Sequence, residues 1–125
     1  MPTHNQIDLV EFPAADAATL KAARGFYEDA FGWRFTDYGE YLDTSDSGVI
    51  AGINAVVDDQ QQRMPMAVIY VADLEQARDR VIAAGGRLIH DIYGFPGGRR
   101  LHFADPAGNE LAVWSDAGAD TAREK

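Results

Sequence analysis

The stretch HFADPAGNELAVW, residues 102–114, reads as a β-hairpin. Asp105-Pro106-Ala107-Gly108-Asn109 is turn punctuation separating two strand-forming runs, Leu101-His102-Phe103 and Leu111-Ala112-Val113-Trp114. Side chains alternate across a strand, so His102 and Ala112 share one face while Leu101, Phe103, Leu111 and Val113 share the other. The second face is core. The first carries Arg100, His102, Ala112 and Trp114 instead of the small polar residues that bulk water would favour.

Outward from the hairpin, the same order of elements is legible twice. Ile7 to Phe12 alternates as a half-buried strand ended by Pro13. A helix follows, capped by Asp16, with Leu20, Ala23, Tyr27 and Ala30 as its stripe and Gly32 as its stop. Short strands are predicted over 33–37, 39–43 and 48–55. The pattern restarts with a strand at Met66-Ala-Val-Ile-Tyr-Val and a helix opened by Asp73 and Gln76, with Leu74, Ala77, Val81 and Ala84 along one side. Gly85-Gly86 stops that helix, Arg87 to His90 reads as a strand, and Asp91 to Gly98 as a loop around Tyr93 and Phe95. Two readings stand for that loop: a mobile flap over a pocket, or a long connection with aromatic anchors. Val10-Glu-Phe-Pro-Ala-Ala-Asp16 superposes on Ala67-Val-Ile-Tyr-Val-Ala-Asp73, which points to a duplication. Residues 1–125 are therefore read as one domain: module one over about 6–56, a linker over about 57–64, module two over about 65–115, and a polar tail at 116–125.

Bulk composition narrows the function. The chain has 125 residues, a length suited to one domain with one core. It has no cysteine, which excludes disulfides, thiolate nucleophiles and Cys-ligated zinc, so any metal would need His and carboxylate ligands. A net charge of −9 opposes nucleic acid and anionic membranes, and is compatible with a cationic ligand. Neither a cationic start followed by an apolar stretch nor a bilayer-length apolar run is present, which predicts a cytoplasmic protein. Phosphate-cradling, dinucleotide-binding, serine-hydrolase and paired-His zinc signatures are missing.

The motifs Phe12-Pro13-Ala14-Ala15-Asp16, Phe26-Tyr27-Glu28-Asp29-Ala30-Phe31-Gly32-Trp33, Val71-Ala72-Asp73-Leu74, Ala83-Ala84-Gly85-Gly86 and Asp105-Pro106-Ala107-Gly108-Asn109-Glu110-Leu111 occur in this order over residues 6–115. In this the chain resembles the vicinal oxygen chelate superfamily, the glyoxalase, bleomycin-resistance and ring-cleaving dioxygenase group. The resemblance implies an α+β fold of two βαβββ modules whose sheets curl into a cup around a ligand cavity. It also implies a homodimer.

Many members bind one divalent metal through the first and last strands of their modules. Carried over residue by residue, those positions fall on Leu9, Met66, Ala112 and, matching Gly48 with Gly108, Gly52. Such side chains are not a hard-metal ligand set, so no metal or other cofactor is expected. In antibiotic-modifying members, substrate-contacting residues lie at the positions of Glu11 and His102. With Leu9, Met66, Tyr70, Arg100, Ala112 and Trp114, these two form the expected cavity lining. Glu11 and His102 have two readings, an acid–base pair for proton transfer or a hydrogen-bonded pair satisfying a buried face. Arg100 reads as a structural arginine or as an anchor for a ligand carboxylate, and Tyr70 and Trp114 as packing, dimer-seam or ligand-stacking aromatics. The function expected first is metal-independent binding of a small organic ligand. The alternatives are a glyoxalase-like lyase, isomerase or dioxygenase acting on a small polar substrate, and a resistance protein that sequesters a cationic drug.

Overall fold

The computed structural model describes residues 2–55 and 64–117. The expected linker over 57–64, except Met64, and the tail from residue 118 onward lie outside the described residues. The elements run β1 (Gln6–Pro13), α1 (Ala17–Phe31), β2 (Thr36–Asp37), β3 (Tyr41–Thr44), β4 (Ala51–Asn54), β5 (Met66–Tyr70), α2 (Leu74–Ala83), β6 (Arg87–Phe95), β7 (Gly98–Ala104) and β8 (Glu110–Ser115). This is βαβββ twice, an α+β architecture as the duplication implies. The chain forms two compact units, Leu9–Met66 and Met1–Asp8 with Ala67–Lys125, so the division falls inside β1.

In the Leu9–Met66 unit the strand order is β2-β3-β4-β1, with β1 and β4 parallel and the other neighbours antiparallel. α1 begins where Asp16 accepts a hydrogen bond from the Thr19 amide while the Thr19 hydroxyl accepts from the Asp16 amide, and it ends at a left-handed Gly32. Leu20 packs with Leu42, Ile53 and Ala55, joined by Phe12 and Tyr27. The expected strand over 33–37 shrinks to Thr36–Asp37. Trp33 lies flat on Tyr27, with ring centroids 4.9 Å apart and planes 8° from parallel, and this stacking keeps the chain on the helix end before it can pair with β3.

The second unit repeats this plan in the order β6-β7-β8-β5, again with its first and last strands parallel. Asp73 caps α2 by accepting from the Gln76 amide. Val71, Leu74, Leu101 and Val113 are buried together, with Ile69, Leu88, Ile92 and Phe103 against them, and these residues define the helix side of the sheet. The β7–β8 hairpin has the expected register, His102 opposite Ala112 and Leu101 opposite Val113. At its turn the Asp105 carboxylate accepts from the Asn109 amide and side chain and from the Ala107 amide, which holds it below its ordinary range, and Gly108 adopts φ 91°.

Residues 91–98 are not the expected loop. β6 continues to Phe95 and β7 begins at Gly98. Two irregularities of register interrupt β6, one between Leu88 and His90 and one between His90 and Tyr93, each giving β6 one residue more than β7. Such bulges break the alternation by which a strand is read from sequence.

Leu101 is completely buried in the second core. Leu101→Ala is expected to destabilise the fold by about 3 kcal/mol, within the usual range for a large-to-small core change, as a lowered denaturation midpoint at unchanged slope.

Candidate functional site

The face of the second unit turned away from α2 holds two lateral rows of side chains. Strand pairing lines up Tyr70 (β5), Trp114 (β8), Arg100 (β7) and Tyr93 (β6) in one row. The adjacent row is Val68, Ala112, His102 and His90. His90 and Tyr93 join this face because the two bulges of β6 bring both side chains to the side of His102.

His102 is the centre of the cluster, 1% exposed. Its Nδ1 lies 2.8 Å from Glu110 Oε2, and its Nε2 lies 2.8 Å from the Tyr93 hydroxyl and 3.3 Å from Arg100 Nε. A carboxylate only accepts hydrogen bonds and a guanidinium only donates. Both partners therefore fit the same form of the ring: neutral, with the proton on Nδ1 given to Glu110 and the Nε2 lone pair facing Arg100. Burial, the larger influence, lowers the His102 pKa below its ordinary value, and the nearby Arg100 and His90 act in the same direction against the pull of Glu110. The His90 ring stands edge-on to His102, with centroids 5.1 Å apart.

Around this polar centre lies an aromatic border. Tyr70 meets Trp114 edge-on at 5.2 Å between centroids, and Phe95 lies 6.3 Å from Trp114. The Trp114 indole donates to Asp8 at 3.1 Å, and Tyr70 donates to Asp116 at 2.8 Å. Burial raises the pKa of Asp8 despite the bond from the indole.

Glu11 belongs to the Leu9–Met66 unit, on β1 opposite Gly52, and is fully buried. Asn54 Nδ2 donates to it at 3.4 Å. Asp43 faces Gly52 from β3, and burial raises its carboxyl pKa. Tyr41 leans over Gly52, its hydroxyl occupying the space a Cβ there would need. The two units correspond position by position: Gly52 opposite Asp43 in one matches Ala112 opposite His102 in the other.

Of the residues singled out from sequence, His102, Arg100, Ala112, Trp114 and Tyr70 lie together on one face of the second unit. Leu9 and Glu11 are in the other unit, as is Met66 at the start of β5. Further participants were missed. Glu110 shares the parity of Ala112 and Trp114, so alternation alone could have found it; His90, Tyr93 and Phe95 lie on β6, where the bulges hid them; and Asp8 shows no signal short of the fold.

The four positions that the resemblance assigns to a divalent ion do not offer it a ligand set. Leu9 and Ala112 offer hydrocarbon, Met66 a thioether and Gly52 no side chain. Where a ligand at Gly52 would extend, the Tyr41 hydroxyl is already present. Among the described residues no group of three or more His, Asp or Glu side chains is arranged to hold a metal.

Two βαβββ modules, each with a helix on one side of its sheet and buried polar side chains on the other, define a protein of the glyoxalase fold. Residues 14–114 match the family described as Glyoxalase-like domain, and the chain belongs to that family. Solved structures agree on the fold. Methylmalonyl-CoA epimerase from Mycobacterium tuberculosis is 18% identical with a TM-score of 0.68, over 98% of this chain and 96% of that one. A Vibrio splendidus 12B01 protein described as a glyoxalase/bleomycin resistance protein/dioxygenase superfamily member is 15% identical with a TM-score of 0.64, over 86% of this chain and 96% of that one. A Legionella pneumophila protein described as an NAD-dependent benzaldehyde dehydrogenase is 13% identical with a TM-score of 0.69, also over 86% and 96%. No curated protein matches the sequence. Among the described residues no helix is long and apolar enough to cross a membrane.

The state of His102 has a measurable consequence. The unfolded chain takes up a proton near the ordinary histidine value, about 6.5, while the folded chain resists it to lower pH. Between the two values the unfolded state binds more protons, so stability rises with pH through that window and levels off above it. Urea unfolding between about pH 5 and about pH 7.5 is expected to show this rise, and His102→Gln to remove the part due to this residue.

Proposed function

We propose that this is a metal-independent protein of the glyoxalase and bleomycin-resistance type that binds a small organic molecule, and that the ligand lies against the β5-β8-β7-β6 face. The observation that carries this reading is the row Tyr70, Trp114, Arg100 and Tyr93, in which aromatic rings and a cation stand side by side. Aromatic rings supply apolar contact area, the guanidinium supplies oriented donors, and the phenol oxygen, its proton turned to His102, supplies an acceptor. A few polar groups set in an apolar surround are the usual composition of a small-molecule site. Support for metal independence comes from the donor-poor family positions Leu9, Gly52, Met66 and Ala112.

Ligands with a planar ring and an oxygen acceptor match this row best. A thermal-shift screen of such compounds is expected to return ones that raise the melting temperature, since selective binding to the native state stabilises it. Trp114→Ala is expected to reduce the shift while the unliganded protein still folds. Chelator treatment is expected to change neither the melting temperature nor the ligand shift. A tightly held stoichiometric metal whose removal abolishes the shift would contradict the reading.

A further inference from the structure

We propose that the Leu9–Met66 unit carries a second small-molecule site, a cleft between α1 and the β2–β3 hairpin that takes a short-chain monocarboxylate. The cleft encloses about 130 Å³ and is lined by Ala17, Leu20, Lys21 and Arg24 from the helix and by Asp37, Gly39 and Leu42 from the hairpin. It lies in the other unit from the ligand face proposed above, and the inference is independent of that reading. Its basis is an apolar floor edged by two cations whose charge the neighbouring acids do not match.

The walls follow from helix and strand periodicity. Ala17, Leu20, Lys21 and Arg24 stand at i, i+3, i+4 and i+7, one continuous face of α1. A stripe with that spacing on a helix packed against a sheet is ordinarily apolar, but here half of it is cationic. Leu20 goes down into the core and meets Leu42, and these two buried side chains form the floor. Asp37 pairs with Leu42 in the β2–β3 register and so projects to the same side of the sheet. Gly39 turns the hairpin at φ 99°, a conformation that strains any residue with a side chain, and leaves that wall as bare backbone.

Charge in the cleft favours an anion. Arg24 gives its Nε to Glu28 at 2.9 Å, while its Nη1 stands 3.6 Å from Asp37 Oδ2, beyond hydrogen-bond reach. Among the described residues its Nη2 makes no hydrogen bond and Lys21 has no ion-pair partner. The positions three and four residues from Lys21 are Ala17, Ala18, Arg24 and Gly25, so its own helix offers it no acid. Two cations thus face one carboxylate, Asp37, which already accepts from the Gly39 amide at 2.7 Å. In a chain with 20 acidic and 11 basic residues, that local excess of positive charge runs against the whole. A monocarboxylate supplies the missing charge, its oxygens accepting from the Lys21 ammonium and from Arg24 Nη2. The cleft has the volume of about four waters at roughly 30 Å³ each, which suits an alkyl tail of about three carbons laid over Leu20 and Leu42.

The test is a titration of the full chain with sodium butyrate, followed by amide NMR of nitrogen-15-labelled protein against sodium chloride at equal concentration. Saturable shifts are expected at the amides of Leu20 to Arg24 and of Tyr38 to Leu42, with a dissociation constant on the order of millimolar, as suits a ligand of about six heavy atoms. 1-Butanol keeps the tail and lacks the charge, and should leave these amides unmoved. Lys21→Gln should raise the dissociation constant about tenfold, the loss expected for one charge-assisted hydrogen bond. Ala17→Leu keeps both cations and fills the cleft, and should abolish saturation over the same range. Residues 17 and 21 are both exposed, so the amide spectrum away from the cleft should match that of the parent in each variant. Shifts that do not saturate, that 1-butanol reproduces, or that persist unchanged in either variant overturn the site. Each of these results bears on the Leu9–Met66 unit alone and leaves the thermal-shift test of the other face standing.

Discussion

A histidine ring sealed from water must satisfy both of its nitrogens inside the protein, and the second unit is organised around that requirement. A buried donor or acceptor left unpaired costs about 1–3 kcal/mol. His102 meets the requirement with Glu110 on one side and with Tyr93 and Arg100 on the other. The β7–β8 hairpin supplies the carboxylate, the bulged β6 supplies the phenol, and β7 itself supplies the guanidinium two residues away. Because one partner can only accept and another can only donate, the tautomer and charge of the ring follow from its neighbours.

Duplication shows what is scaffold and what is site. Both units pack a helix on one side of four strands, pair their first and last strands in parallel, and place a residue with little or no side chain, Gly52 or Ala112, on the last strand. The residue opposite differs, Asp43 in one unit and His102 in the other. At Gly52 the freed space is taken by the phenol of Tyr41. Shared packing thus carries two different polar clusters, and family membership alone does not transmit a reaction to either.

Most of the scaffold was legible in the sequence because it rests on local rules. Asp16, Gly32 and Asp73 mark helix ends by capping chemistry, and Asp105 to Asn109 marks the hairpin by turn chemistry. Alternation along 102–114 located the polar face and its central histidine. The site was less legible. Bulges in β6 shift the parity of Tyr93 and make a strand look like a loop, and nothing in single-sequence periodicity marks a bulge. Stacking of Trp33 on Tyr27 shortened β2 by a tertiary contact that propensity does not contain. Glu11 and His102, linked in the sequence reading as acid and base, fall in different units, and neither the Asn54 amide beside Glu11 nor the Tyr93 hydroxyl beside His102 is marked by local pattern.

The protonation state of the central imidazole is therefore the point on which the account turns, and nitrogen-15 NMR of selectively labelled histidine observes it directly. At neutral pH the account predicts a neutral His102 ring, with Nδ1 carrying the proton and Nε2 bare. A ring protonated at both nitrogens, or one with its proton on Nε2, would contradict it.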